Sequence, residues 1–162
     1  AALIQGFAPP LSVSQWFNCD CPITLDALRG KVVLIHAFQM LCPACVMQAG
    51  PQAVRLWQHY RYHERAHDVV VIGLHTVFEH HQVMTPEALA VYLHEFRIPF
   101  PVGVDQAVAD DPIPKTMRAY DMQGTPTTLL IDGTGRLRKH HFGVEPDQLI
   151  EADIDRLIAE LT

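Results

Sequence analysis

Positive charge is scarce in this chain. Twelve lysines and arginines face eighteen aspartates and glutamates, for a formal charge of −6. Nucleic-acid and anionic-membrane surfaces depend on clustered Lys and Arg, so neither partner is expected. Long apolar runs are also missing. The longest, Val32–Phe38 and Val69–Leu74, fall far short of the roughly 20 residues a membrane-spanning helix needs, so no membrane segment is expected. No charged leader followed by an apolar stretch and a cleavage site opens the sequence. That favours a cytoplasmic location, or a periplasmic one if the chain is a trimmed mature form. Four cysteines in 162 residues are too few for a disulfide scaffold, and their grouping as C-x-C and C-x-x-C points to redox or metal chemistry. Internal repeats and low-complexity linkers are absent, and 49% apolar residues suit one compact domain with an ample core.

The most informative feature is Cys42-Pro43-Ala44-Cys45, which directly follows the apolar run Val32–Phe38 and precedes a helix-like stretch. A thiol at a helix N-terminus meets unsatisfied backbone N–H groups and the positive end of the helix dipole, both of which favour the thiolate. Such settings lower a cysteine from about 8.5 to about 3.5–7.5, making it nucleophilic near neutral pH. The motif therefore points to thiol–disulfide exchange.

The rest of the chain alternates strands and helices. Residues 9 to 30, rich in turn formers, read as a lead-in loop or small hairpin. Lys31 to Phe38 reads as a central strand covered on both faces. A helix is expected from Pro43 to about Tyr62, with Pro43 in its first turn and Pro51 kinking it. Val69 to Leu74 is a second buried strand. Thr85-Pro86-Glu87 marks a helix start, and Leu89, Leu93 and Phe96 continue one apolar face. A short strand (Pro101 to Asp105) and a short helix (Pro114 to Asp121) come next. Thr127 to Asp132 and Arg136 to Phe142 form a hairpin around Gly133-Thr134-Gly135. A last helix from about Pro146 to Leu161 carries Leu149, Ile150, Ile154, Leu157, Ile158 and Leu161 on one side. Trp16, Trp57 and Phe96 read as core residues. The order β-α-β-α-β-α-β-β-α implies an α/β sheet flanked by helices.

With Cys42-Pro43-Ala44-Cys45 after the first core strand and Gly124-Thr125-Pro126-Thr127 before the hairpin, the chain resembles the thioredoxin-like superfamily, and within it the TlpA/ResA-type redoxins, which are thiol–disulfide oxidoreductases. Leu25 to Leu34 resembles that branch's lead-in to the central strand, and Gly73-Leu74-His75-Thr76 its second strand before an inserted helix. The resemblance implies a thioredoxin fold over residues 1–162: a central mixed sheet flanked by helices, with an N-terminal extension (1–30) and an inserted helix. It implies that Cys42 is the nucleophile, Cys45 the resolving cysteine and Pro126 a cis-proline that turns the Thr125 backbone toward the dithiol. It also implies exchange with a protein or small-molecule thiol or disulfide and with a further redox partner, and no metal or organic cofactor. Ala44 brings no cation to hold a thiolate, which favours a reductant. Where thioredoxins carry a buried acid, this chain has His36; it or Glu79 is a candidate for proton transfer, the alternative being a core histidine. Leu41 replaces the usual aromatic before the first cysteine, and Pro51 comes one residue later than the family's helix proline.

Two metal-binding readings compete. Cys19, Cys21, Cys42 and Cys45 offer four sulfurs for structural zinc, though a buried strand between the pairs is poor zinc-ribbon spacing. A Sco-like copper-handling redoxin would draw on His75, His80, His81, His140 or His141, but its C-x-x-x-C spacing is one residue longer. A peroxiredoxin would carry threonine where this chain has Gln39. Cys19-Asp20-Cys21 stays open between a pair of free loop thiols and a strained, labile disulfide acting as a relay.

Overall fold

The computed structural model describes residues 6–161; the first five residues of the N-terminal extension lie outside them. Its frame is a six-stranded mixed sheet in the order β1-β4-β3-β2-β5-β6, comprising β1 (Val13–Phe17), β2 (Val32–Phe38), β3 (Val69–His75), β4 (Val102–Asp105), β5 (Thr127–Ile131) and β6 (Leu137–Phe142). Among the described residues the α-helices are α1 (Gly50–Arg61), α2 (Pro86–Glu95), α3 (Lys115–Ala119) and α4 (Asp147–Ala159).

Every residue of β2 is buried, as its unbroken apolar run requires of a strand covered on both faces. It pairs in parallel with β3, Val32 opposite Val69 through Phe38 opposite His75, and antiparallel with β5. Alternate side chains feed two apolar layers. Val32, Leu34 and Phe38 join Leu56, Tyr60, Leu89, Tyr92, Ile150 and Ile154 from α1, α2 and α4. Val33, Ile35 and Ala37 join Met117, Tyr120, Leu129 and Leu137 on the other side.

Two helix starts follow from their sequence signals. The Thr85 hydroxyl accepts the Ala88 N–H at 3.1 Å, with Pro86 opening α2. Around Pro51 the expected helix adapts: Pro43 and Ala44 are helical, Cys45–Ala49 forms a π turn, and α1 continues to Arg61. Proline offers no N–H to the preceding turn and its ring crowds the carbonyl there; the wider turn, in which the Gly50 N–H donates to the Cys45 carbonyl, makes room. A Cβ at Gly50 would stand 2.9 Å from that carbonyl oxygen, so only glycine fits. A π turn stores one extra residue, which accounts for the one-residue displacement of Pro51.

Three expectations need correction. The lead-in segment is not merely loop or hairpin: Val13–Phe17 is an edge strand antiparallel to β4, and its Val13 side chain packs so closely over Gly103 that a Cβ there would lie 2.9 Å from a Val13 methyl. Phe96, at the end of α2, is 56% exposed rather than core, and Leu149 is 53% exposed because it turns away from the α4 face that packs on the sheet.

Candidate active site

The C-terminal end of β2 delivers the chain through Gln39, Met40 and Leu41 to Cys42. A set of hydrogen bonds holds this short loop. The Cys42 N–H donates to the Gln39 carbonyl at 3.0 Å, and the Met40 N–H donates to Nε2 of His75 at 3.1 Å. The buried Gln39 side chain accepts the Phe78 N–H at 3.1 Å through Oε1. Its Nε2 donates to Glu79 at 3.3 Å and to the Thr125 hydroxyl at 3.5 Å. One glutamine thus ties together the dithiol loop, the segment after β3 and the loop before β5.

The two thiols have different surroundings. Cys42 is half-buried, and its Sγ accepts the Cys45 N–H at 3.3 Å and lies 3.7 Å from the Thr125 carbonyl oxygen. Cys45 is 1% exposed. Burial pushes its thiol up to about 12, and the facing Cys42 sulfur acts in the same direction. Both are free thiols. The Thr125–Pro126 peptide bond is cis; Pro126 is buried, and its carbonyl accepts the Gly143 N–H at 2.8 Å.

The structure thus gathers Cys42, Cys45, Thr125 with Pro126, and Glu79 through Gln39. His36 lies apart on β2, on the same face as Phe38, whose ring stacks on it at 4.9 Å. It lines a small cavity with Phe38, Gly50, Tyr92, Ile98 and Phe100. Burial lowers both His36 and His75 to about 4, so both rings are neutral near pH 7. Glu79 is exposed.

Gln39, His75 and Tyr92 escaped sequence reasoning in these roles. Tyr92 packs on Phe38, and its hydroxyl lies 3.7 Å from where a Gly50 Cβ would stand; burial first, then both thiols, raise its pKa. For Gln39 the available signal was a polar residue capping a wholly buried strand, which must find partners.

The metal-binding alternatives fit poorly. Cys19 and Cys21 come after β1, which runs antiparallel to the rest of its side of the sheet, so they sit at the end opposite Cys42 and three strands away. At about 4.8 Å per strand the lateral offset alone is about 14 Å. One four-sulfur site is therefore ruled out, and so is direct relay between the pairs within one molecule. Of the copper candidates, His75 already accepts the Met40 N–H, and His81 and His140 bond the carbonyls of Pro112 and Tyr120. Among the described residues no three His, Cys, Asp or Glu side chains converge to hold a metal ion.

No protein-family model matches the chain. Among solved structures it is similar to a thioredoxin-like superfamily protein, at 52% identity with a TM-score of 0.88, over 94% of this chain and 96% of that one. It is also similar to a thiol-disulfide isomerase from Corynebacterium glutamicum, at 44% identity and a TM-score of 0.85, over 94% and 97%. Among curated proteins, protein DipZ of Mycobacterium bovis is 31% identical over 156 residues, covering 94% of this chain. The chain spans only 21% of the length of that relative. At this level of identity and coverage, the chain belongs to the thioredoxin-like thiol–disulfide oxidoreductase family.

Proposed function

We propose that the chain exchanges disulfides with protein or small-molecule partners through Cys42 and Cys45, acting as a reductant. The Cys42 thiolate attacks a substrate disulfide, forming a mixed disulfide and expelling one substrate thiolate. Cys45, once deprotonated, attacks the Cys42 sulfur, releasing the second substrate thiolate and leaving Cys42–Cys45 oxidised for a further redox partner to restore. The observation that carries this reading is the asymmetry of the pair: one sulfur at the surface beside the Thr125 carbonyl, the other buried with its thiol held up to about 12. Only the first can be reached by a large partner, while the second, kept protonated by burial, attacks from within once its proton is taken. Exposed Leu41 and Met47 flank Cys42 and suit a protein substrate. Ala44 places no cation beside the Cys42 sulfur to stabilise the reduced form, which favours a reductant, since strong oxidants stabilise theirs.

His36, neutral near pH 7, and Glu79, linked through Gln39, are the candidates for receiving the Cys45 proton. Trapping tests the scheme. Cys45→Ser should accumulate covalent complexes with substrate through Cys42, released by reductant on gels, whereas Cys42→Ser should trap none. Identical behaviour of the two variants overturns it.

A further inference from the structure

Cys19-Asp20-Cys21 has no part in this scheme, yet it is built as a pair. The backbone bends through Asn18–Cys21. Asn18 holds one side of the bend: its φ is 62°, and its side-chain amide donates to the carbonyls of Ile98 at 2.9 Å and Phe100 at 3.1 Å. Ile23 holds the other by packing against the apolar layer beneath. The two thiols are thus confined to one short, anchored bend. With consecutive Cα atoms about 3.8 Å apart, residues two apart in a bend stand roughly 5.5–6.5 Å from one another, within the span a disulfide tolerates. The thiols also differ in access, Cys21 being exposed and Cys19 half-buried. Burial raises the Cys19 thiol, followed by the charges of Cys21 and Asp20.

We infer that Cys19 and Cys21 form a second, surface dithiol that closes to an intramolecular disulfide by exchange with a small-molecule disulfide, independently of Cys42 and Cys45. With glutathione disulfide, the exposed Cys21 thiolate attacks one sulfur, breaking the S–S bond, forming a Cys21–glutathione disulfide and releasing one glutathione thiolate. Cys19 then gives its proton to water and attacks the Cys21 sulfur; the Cys19–Cys21 bond forms and the second glutathione leaves as thiolate. Two cysteine thiols are oxidised and one glutathione disulfide is reduced to two thiols. So small and exposed a ring gives a disulfide that reductants reopen readily, unlike a buried structural one. Because the pair lies at the opposite end of the sheet from Cys42, each dithiol exchanges with its own partners.

Trypsin separates the two pairs: cleavage after Arg29, Lys31 and Arg55 puts Cys19 and Cys21 in the peptide ending at Arg29, and Cys42 and Cys45 in residues 32–55. The folded chain would be equilibrated in graded ratios of oxidised to reduced glutathione, quenched in acid, alkylated, digested and weighed. The peptide ending at Arg29 should pass from two alkylated thiols to none, losing two hydrogens and carrying no glutathione. The same should occur in Cys42→Ser, while Cys21→Ser should never close. Persistent glutathione on Cys21 beside an alkylated Cys19, a disulfide between chains, two alkylated thiols at every ratio, or closure lost in Cys42→Ser would each overturn the inference. Since the readout is confined to this peptide, its failure leaves the scheme for Cys42 and Cys45 standing, and failure of that scheme leaves this result intact.

Discussion

Acid should loosen this fold through two buried rings, one stacked in the core beside Phe38 and one bonded to the dithiol loop. His36 stacks on Phe38, and His75 accepts the Met40 N–H; both are buried, and burial lowers each from 6.5 to about 4. A base whose pKa is depressed by folding gives up stability as pH falls, because the unfolded chain takes the proton first. The contribution of each ring is complete above about 6.5 and drains away down to about 4. At about 1.4 kcal/mol per pKa unit, each ring accounts for about 3 kcal/mol, a large share of the 5–15 kcal/mol typical of a domain. Urea unfolding at a series of pH values would measure it. His36→Phe keeps an aromatic on Phe38, and His75→Gln keeps an oxygen that can accept the Met40 N–H; neither titrates. In each variant the stability lost between neutral pH and about pH 4 should shrink by about 3 kcal/mol relative to the parent. Comparing each protein with itself across pH cancels the packing cost of the substitution. If the parent and both variants lose the same stability over that range, the rings are not held neutral by burial and the reasoning fails.

The thiols lend themselves to a similar comparison. With its thiol pushed up to about 12 and only 1% exposed, Cys45 should stay unmodified near neutral pH while iodoacetamide consumes the more accessible Cys42. Mass spectrometry of residues 32–55 would show it, and equal labelling would refute the asymmetry. Gln39→Leu keeps the volume but strands the Phe78 N–H and releases Glu79 and Thr125. It should cost about 1–3 kcal/mol of stability and slow mixed-disulfide formation with Cys45→Ser; unchanged stability and trapping rate would show that the glutamine does not hold the loops together.

Legibility in the sequence depended on how far apart a cause and its effect lie along the chain. β2, β3 and the β5–β6 hairpin were legible because burial on both faces and a tight glycine turn leave local marks, and the dithiol was legible because its residues are neighbours. β1 left no such mark: it is a half-exposed edge strand with a register shift between Val13 and Gln15, defined by its fit against Gly103 some 90 residues later. Phe96 and Leu149 carried the right spacing but fell on the outer side of their helices. Gln39, His75 and Tyr92 gain their roles only when β2, β3, α2 and the Thr125 loop meet, which no spacing within the chain announces.

The wide turn at Cys45–Ala49 separates two demands placed on one helix. Each added residue rotates the remainder of an α-helix by about 100° around its axis, so a helix of fixed geometry would couple the placement of Cys45 to the direction in which Leu56 and Tyr60 face. Storing the additional residue in the turn breaks that coupling: the sulfur keeps its seat while the far half keeps its core face. The position of the dithiol is then a property of its own loop and the strands beside it, and the helix behind can gain a residue without the chemistry at its tip having to move.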